Sequence, residues 1–370
     1  MLLFYASFGD GHRQVAHAIQ DVLQQEYRAE VSLVDPFRQT SRALAAFNEW
    51  VYETLTAYAP FLYGWSYNWT RRLSPQHVLW KLLATLSRRA TWAKVLAHQP
   101  DIVVQLFPDH ALAKYPPTLI SRPVIVTALT DYALHSRWFH ANVDLYLMPT
   151  DDIVLEAARF QTAGSKVVVS GIPIRDQFSV CRLDSDAPQG AIVISAGGRG
   201  VFPNLSFVLT ALLEQFTDRH IAVLCGRNDK MREKVQEIAQ SDGSGRLSAV
   251  SFTDDVASYV QRASFVVAKA GGISVSECLS AGAPMLFYKP QPGQEYHNAK
   301  VVAHLGAGQI AEGRREFLSV LKRFKGESLV DMSKAAIAIA HPDAAVRAAR
   351  AIVQTWEWTT RKEQLARRDL

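Results

Sequence analysis

A histidine that follows two glycines and precedes a helical pattern is the first group in this sequence that could carry out chemistry. The apolar run at residues 2–6 leads into FGDGH, which contains Gly9, Gly11 and His12. Beyond it, apolar residues recur at spacings of three and four, at Val15, Ala18, Ile19 and Val22. This spacing predicts a helix with His12 at its N-terminus, where the positive dipole end disfavours an imidazolium. A neutral imidazole there could remove a proton from an attacking hydroxyl. A capping or merely exposed histidine is the alternative interpretation.

Two further glycine-rich turns follow strand-like runs. They are ISAGGRG, with Gly197 and Gly200, and KAGG, with Gly271 and Gly272. Glycines let backbone N–H groups approach phosphate oxygens, although tight strand-to-helix turns use glycine in any case. Ligands of open α/β sheets bind at the carboxyl ends of strands, so the placement favours a phosphate site. GDGH does not fit the G-x-G-x-x-G fingerprint, and the sequence has no G-K-[ST] phosphate loop.

Amide and carboxylate side chains are concentrated after the KAGG turn. They are Glu277, in GISVSE, and Gln294, Glu295 and Asn298, in PGQEYHN. Such groups donate and accept the hydrogen bonds that sugar hydroxyls require, and Glu277 on a helix could accept from both hydroxyls of a ribose. An exposed helix carboxylate and a capping amide are the alternative interpretation. The cluster predicts a sugar-binding site more specifically than the glycines do.

The elements that must position these groups alternate between strands and helices. The strand-like runs are LLFYAS, EVSLVD, DIVVQLF, PVIVTALTD, VDLYLMP and KVVVSG, then AIVISAGG, HIAVLCG, LSAVSF, FVVAKAGG, PMLFYKP and GQIAEG. Most are separated by amphipathic stretches, which predicts two α/β units with parallel sheets. The polar segment 175–190 predicts a linker between a first domain over residues 1–174 and a second over residues 191–370.

Composition limits the classes of protein. At 370 residues and 48% hydrophobic composition, the chain can form two cores. Its net charge of +5 suits an anionic ligand or surface but is too small to indicate nucleic acid. The three cysteines, Cys181, Cys225 and Cys278, fit reduced buried thiols better than a disulfide framework or a zinc site. With no signal-peptide pattern and no apolar run of about 18 residues, a cytoplasmic protein is expected.

Residues 41–98 combine aromatic and basic side chains. Five of the eight tryptophans lie here, among many more cations than carboxylates. Indole rings favour the headgroup region of a bilayer and Lys and Arg attract anionic lipids, so this segment is expected to lie on a membrane. The expected contacts are Trp65, Trp69, Arg71, Arg72, Trp80, Lys81, Arg88 and Arg89. In the alternative interpretation, the rings belong to the core and the charges form a solvated face.

Several motifs occur in an order that resembles one enzyme family. They are FGDGH followed by QVA, TDYALHSRWFHANVD at residues 130–144, SGIPIRDQF at residues 170–178, KAGGISVSE and PGQEYHN. In this combination the chain resembles the bacterial diacylglycerol glucosyltransferases and the plant monogalactosyldiacylglycerol synthases of glycosyltransferase family 28. More distantly, it resembles the N-acetylglucosaminyltransferase of peptidoglycan synthesis. The resemblance is thinnest over residues 41–98 and after residue 312.

The resemblance implies an α/β protein of the GT-B fold. In that fold two Rossmann-like domains face each other across a cleft, with the lipid acceptor on the first and the nucleotide-sugar donor on the second. The C-terminal helix can cross back to the first domain. Asp10 stands where the plant enzymes carry glycine, which places the chain nearer the bacterial glucosyl enzymes.

The resemblance also implies individual roles. His12 is the base or the residue that orients the acceptor, Asp131 is a second base candidate or an orienter of His12, and Gly9 and Gly11 form the loop beside the acceptor and phosphates. Donor contacts are implied for Gly197 and Gly200 with the diphosphate, Phe252 and Thr253 with uracil, Glu277 with the ribose, Gln294 and Glu295 with the transferred sugar, and Gly271, Gly272 and Asn298 nearby.

The expected activity is transfer of a hexose, with glucose favoured, from a UDP-sugar to diacylglycerol or a glycosyl-diacylglycerol with inversion. The protein is expected to be peripheral, at the cytoplasmic face of the cell membrane, with no nucleic acid partner. No metal or other cofactor is expected, since a helix N-terminus can stabilise the departing diphosphate. Three alternatives stay open: transfer of N-acetylglucosamine to a different lipid, a UDP-N-acetylglucosamine 2-epimerase, and a protein that only senses a UDP-sugar.

Overall fold

The chain divides into two compact units. The computed structural model describes residues 1–6, 10–37, 59–119, 121–160, 164–178 and 190–368. Unit 1 comprises Met1–Arg175 and Asp343–Leu370, and unit 2 comprises Asp176–Pro342. Residues 179–189 of the predicted linker, with Cys181, lie outside the described residues.

Unit 1 contains a parallel six-stranded sheet. Its strands are β1 (Leu2–Phe4), β2 (Ser32–Val34), β3 (Ile102–Gln105), β4 (Val124–Ala128), β5 (Leu145–Met148) and β6 (Lys166–Val169), in the order β2-β1-β3-β4-β5-β6. Every neighbouring pair is parallel. The strands β1, β3, β4 and β5 are buried along their whole length, because helices cover both faces of a parallel sheet.

The described helices of unit 1 come from both ends of the chain. They are α1 (Asp10–Tyr27), α2 (Pro60–Thr70), α3 (Val78–His98), α4 (Asp151–Ala157) and α12 (Ala344–Arg368). Val15 and Ile19 are fully buried, which confirms the predicted apolar face of α1. Helix α12 contacts α1, β4 and β5, so the C-terminal segment belongs to the packing of unit 1.

Unit 2 repeats the parallel arrangement. Its strands are β7 (Ala191–Ser195), β8 (Ile221–Leu224), β9 (Leu247–Val250), β10 (Ala263–Ala268), β11 (Met285–Tyr288) and β12 (Gly308–Ala311), in the order β12-β11-β10-β7-β8-β9. Its described helices are α5 (Leu205–Gln215), α6 (Asp229–Asp242), α7 (Val256–Gln261), α8 (Gly272–Ser280), α9 (Gln294–His304), α10 (Arg314–Leu321) and α11 (Glu327–Ile339). Phe265 on the buried strand β10 stacks edge-on with Phe324 and packs against Phe216 in the core.

Each strand-like run quoted from the sequence forms one of these strands, so the predicted pair of parallel α/β units is confirmed. Cys225 and Cys278 are free and buried, as expected. In each sheet the carboxyl ends of the parallel strands lie along one edge. The turns that carry His12 and the glycine motifs follow β1, β7 and β10, and therefore lie at that edge of their own sheet.

Candidate active site

His12 lies in the first turn of α1 and is held by the loop that follows β3. Its Nδ1 lies 2.6 Å from the backbone oxygen of Leu106. A carbonyl oxygen can only accept, so Nδ1–H donates, and the neutral ring keeps its lone pair on Nε2. Burial lowers the pKa of His12 below the ordinary value of 6.5, against the opposing effect of the Leu106 hydrogen bond. Burial therefore favours a neutral ring whose lone pair lies on Nε2, and the role of His12 as a base stays a prediction.

Thr130 and Asp131 follow β4, the neighbour of β3 in the sheet. Thr130 Oγ1 lies 3.4 Å from Nδ1 of His12. Asp131 lies close enough to Tyr67 on α2 for its charge to raise the pKa of that phenol, together with the larger effect of burial. The role of Asp131 as a second base or an orienter stays a prediction.

Sequence reasoning missed the carbonyl of Leu106 as a partner of His12. A backbone oxygen carries no residue-type signal, and only the adjacency of β1 and β3 brings this one to the histidine. Gly11 lies in the first turn of α1 beside His12, and Gly9 lies outside the described residues.

In unit 2, Gly197 and Gly200 form a turn directly after β7. Both have positive φ angles, 71° and 62°, and the N–H of Gly200 donates to the oxygen of Gly197 at 3.0 Å. The turn is locked against the segment after β8, because a Cβ on Gly200 would lie 1.9 Å from the backbone oxygen of Cys225. Asn228 Nδ2 also donates to the oxygen of Gly200 at 2.7 Å. Backbone conformation and space therefore both require glycine at position 200.

The glycine turn at Gly197 and Gly200 is not followed directly by a helix. Helix α5 begins at Leu205, after the intervening residues 201–204. In contrast, α8 begins at Gly272 and α9 at Gln294, directly after their turns. The amino ends of α8 and α9 therefore lie directly at glycine turns of this sheet edge, where a helix N-terminus can bind a phosphate.

Arg227 and Phe252 form a stacked pair at the ends of β8 and β9. The guanidinium carbon of Arg227 lies 3.9 Å from the ring centroid of Phe252, which is 45% exposed. The backbone N–H of Arg227 donates to the oxygen of Gly198 at 3.1 Å, and Thr253 Oγ1 accepts from the N–H of Asp255 at 3.1 Å. The pair offers a flat cationic surface beside the glycine turn, suited to a planar base attached to phosphates. Arg227 belongs to no motif and was missed in the sequence.

The KAGG turn between β10 and α8 is supported by α9. Asn298 is fully buried, and its Nδ2 donates to the oxygen of Ala270 at 2.9 Å. This corrects the expectation that Asn298 contacts the donor, because its amide supports the turn from inside the protein. Glu277 lies in the second turn of α8 and is 6% exposed.

Gln294 and Glu295 open α9 after β11 and are both partly buried. Glu295 Oε2 accepts from the N–H of Gln291 at 3.4 Å. Burial raises the pKa of Glu295, and the charge of Lys269, in the KAGG turn, opposes this. The two motifs predicted to hold a sugar therefore meet at the amino end of α9. The predicted donor residues share one edge of the unit 2 sheet.

Helices α2 and α3 carry an unusually apolar exposed surface. We call it the α2–α3 apolar face, formed by Phe61, Leu62, Trp65, Trp69, Val78, Leu82 and Leu86, all at least 48% exposed. The rings of Trp65 and Trp69 stack with their centroids 6.3 Å apart. Lys81 and Arg89 are exposed on α3, and Arg72 is exposed in the turn that follows α2.

Trp80 corrects the predicted membrane surface. It is only 2% exposed, its Nε1 donates to the oxygen of Ser74 at 3.1 Å, and its ring packs edge-on against His135. Arg71 is held by Glu156 at 3.0 Å, and Arg88 is partly buried. The described part of residues 41–98 thus divides into a core side and an exposed side. Residues 41–58 lie outside the described part.

No helix among the described residues combines the length and the apolarity needed to cross a bilayer. Within the same residues, no group of three or more His, Cys, Asp or Glu side chains is arranged to hold a metal ion.

Two family models match the chain, one in each unit. Residues 12–174 match the monogalactosyldiacylglycerol (MGDG) synthase family, and residues 192–342 match the glycosyltransferase family 28 C-terminal domain. The match to the first begins at His12, and the second spans the glycine turns and the PGQEYHN motif.

Curated relatives align over nearly the whole chain. A processive diacylglycerol beta-glucosyltransferase of Bacillus pumilus is 25% identical over 353 residues, which cover 90% of this chain and 89% of the relative. Among solved structures, MurG of Acinetobacter baumannii has a TM-score of 0.57 at 17% identity, covering 95% of this chain and 99% of that one. A structure assigned as a UDP-N-acetylglucosamine 2-epimerase of Listeria monocytogenes has a TM-score of 0.60 at 14% identity, covering 96% of both chains. These structural likenesses establish the GT-B fold.

Proposed function

Because the chain belongs to the MGDG synthase and family 28 glycosyltransferases and is a UDP-sugar-dependent glycosyltransferase, we propose that it transfers glucose from UDP-glucose to diacylglycerol. The relatives named as diacylglycerol glucosyltransferases support both the hexose and the acceptor. A glycosyl-diacylglycerol is a second acceptor of the same chemistry, since those relatives are named processive.

The observation that carries this proposal is the 2.6 Å contact between Nδ1 of His12 and the backbone oxygen of Leu106. With Nδ1–H donated to the carbonyl of Leu106, Nε2 is free to take the proton from the acceptor hydroxyl. Burial holds the pKa of His12 below its ordinary value, so the ring is uncharged near neutral pH and ready to act as a base. A single displacement assisted by this base would invert the configuration at the anomeric carbon.

Unit 2 would bind the donor through the edge of its sheet. Arg227 and Phe252 would take the uracil, the Gly197–Gly200 turn and the amino end of α8 the diphosphate, and Glu277 the ribose hydroxyls. Gln294, at the amino end of α9, would contact the glucose. Developing charge on the departing UDP would be stabilised by these N–H groups and by Lys269, so the proposal requires no metal or other cofactor.

The α2–α3 apolar face would bring the enzyme to its lipid. Its exposed indole rings match the headgroup region, and Arg72, Lys81 and Arg89 would be attracted to anionic lipids. We therefore propose a peripheral protein at the cytoplasmic face of the cell membrane. An epimerase acting on a soluble nucleotide sugar would have no use for such a face, although its fold is shared.

The test is turnover of UDP-glucose in vesicles that contain diacylglycerol, with His12→Ala compared with the wild type. We expect turnover to fall by about 10² to 10⁴, as for the loss of a general base, while UDP binding measured by calorimetry stays unchanged. The matched control is His17→Ala, an exposed histidine on the same helix, which should leave turnover intact. Near-normal turnover of His12→Ala would remove His12 as the base and leave Asp131 as the candidate.

A further inference from the structure

The loop that holds His12 is itself held by buried polar groups. Gln105, at the end of β3, is 2% exposed, and its Nε2 donates to the backbone oxygens of Phe107 at 2.8 Å and Asp109 at 2.7 Å. These bonds close residues 106–110 into a compact turn. The carbonyl of Leu106 that accepts from His12 lies within this turn.

Asp109 ties the turn to helix α3. Its side chain is 2% exposed, Oδ2 accepts a short hydrogen bond from Ser87 Oγ on α3, and Oδ1 accepts from the N–H of His110 at 2.8 Å. Burial raises the pKa of this carboxyl, and the nearby charge of Arg137 opposes that rise. A carboxylate in such a place is costly unless its charge and its hydrogen bonds are used.

The same group of side chains reaches helix α2. The guanidinium of Arg137 lies 5.8 Å from the ring centroid of Trp80 on α3. The backbone N–H of Arg137 donates to Nδ1 of His135 at 3.1 Å, which places the His135 proton on Nε2, 3.2 Å from Thr70 Oγ1 on α2. Helix α3 is therefore joined to the turn through Ser87, and helix α2 is joined through Thr70 to His135, in the segment that contains Arg137.

From this connection we propose that Asp109 is a positioning residue, which anchors the turn at residues 106–110 to Ser87 and so keeps the Leu106 carbonyl against Nδ1 of His12. The proposal rests on the proposed role of His12 as the base. It adds that the tautomer of His12 depends on a side chain that touches neither substrate nor His12. Without the anchor, Nδ1–H would lose its fixed acceptor. The neutral tautomer that carries its proton on Nε2 would then be populated as well.

A direct test observes the ring nitrogens of His12. In ¹⁵N-labelled protein, nitrogen–proton correlation spectra distinguish the two neutral tautomers, and the His12 signals are identified by their loss in His12→Gln. We expect the wild type to show the Nδ1–H form, and Asp109→Ala and Ser87→Ala to show a mixture with Nε2–H. Ser87→Ala is the milder variant, because it removes one hydroxyl and leaves the carboxylate in place.

Asp144→Ala is the matched control. Asp144 is also a carboxylate of unit 1 that accepts a backbone N–H, from Ile125 at 2.8 Å, but it lies at the opposite, amino-terminal edge of the sheet. The Asp144→Ala variant should have a lower free energy of unfolding and unchanged His12 signals.

Kinetics give a second readout that a purely structural role would not move. In Asp109→Ala, kcat should fall by about 10- to 100-fold, by analogy with metal-binding histidines that lose their outer hydrogen-bond partner, while UDP binding is unchanged. The hydrogen bond to Leu106 favours the protonated ring, so its loss lowers the pKa of His12. The acid limb of the pH–rate profile should therefore move to lower pH.

The outcomes separate this inference from the proposed function. If His12 in both variants keeps the wild-type Nδ1–H signals and the acid limb does not move, Asp109 has no positioning role. If the wild type fails to transfer glucose, the proposed function is wrong, and the ring-nitrogen spectra still decide whether Asp109 sets the tautomer.

Discussion

Three buried histidines should make unit 1 sensitive to acid. Burial lowers the pKa of His110 and of His135 to about 3 and that of His140 to about 4, from the ordinary value of 6.5. Neighbouring positive charge contributes for the first two, from His140 and then Arg137 for His110 and from Arg137 and then Arg71 for His135. Each ring is therefore neutral in the folded state at a pH where it would be charged in the unfolded chain.

The sign and size of the effect follow from proton linkage. Below pH 6.5 the unfolded state binds more protons than the folded state. The free energy of unfolding is therefore highest above that pH, and it decreases as the pH falls toward about 3 to 4. Between pH 7 and pH 5, each histidine should lower the free energy of unfolding by about 2 kcal/mol, and the three together by about 6 kcal/mol at most.

Tryptophan fluorescence can follow unit 1 alone, because all eight tryptophans lie within its ranges. Urea unfolding is measured at pH 7 and pH 5 for the wild type and for His135→Gln. Between pH 7 and pH 5, the free energy of unfolding of the variant should decrease by about 2 kcal/mol less than that of the wild type, whatever the stability of the variant at pH 7. His98→Gln, at an exposed position on α3, is the control and should keep the wild-type loss. An equal loss in His135→Gln and the wild type would refute the reasoning.

Two further predictions concern the donor and the membrane. Glu277→Ala should weaken the binding of UDP and UDP-glucose alike by about one to two powers of ten, since a charge-assisted hydrogen bond contributes about 1.5–3 kcal/mol. Gln294→Ala should leave UDP binding unchanged and impair only the use of UDP-glucose. If calorimetry showed the reverse pattern, the proposed positions of the ribose and the glucose would be wrong. Replacing Trp65 and Trp69 by Ser should reduce flotation with anionic liposomes at least about tenfold, because each ring can bury about 150–250 Å². Trp358→Ser, a change at an equally exposed ring on α12, is the control. If it reduced flotation as much as the Trp65 and Trp69 substitutions, the α2–α3 apolar face would not be the membrane-binding surface.

The fold was predictable because its strands are short apolar runs bounded by glycine and polar turns. Such runs are typical of strands in a parallel sheet covered by helices, and the amphipathic stretches between them supply those helices. The same logic placed His12 and Gly272 at helix starts, since each follows a strand and a glycine turn.

The rest required tertiary structure. Composition alone could not tell the buried Trp80 from the exposed Trp65, because both lie in the same aromatic and basic segment. The carbonyl of Leu106 has no sequence signature, and Asp109 meets Ser87 only because α3 packs beside the turn after β3. Asn298 has the chemistry of a sugar ligand, but its burial assigns that amide to the KAGG turn.

The central claim is tested most directly by the anomeric configuration of the product. UDP-glucose carries its sugar in α linkage, so a single displacement assisted by His12 predicts a β-glucosyl diacylglycerol. The enzyme is incubated with UDP-glucose and diacylglycerol vesicles in the presence of EDTA, and the purified glycolipid is examined by proton NMR at the anomeric signal. The β product is expected from the wild type, and its loss is expected in His12→Ala. An α-linked product would contradict the inverting mechanism, and conversion of UDP-N-acetylglucosamine to its 2-epimer without lipid would contradict the proposed function.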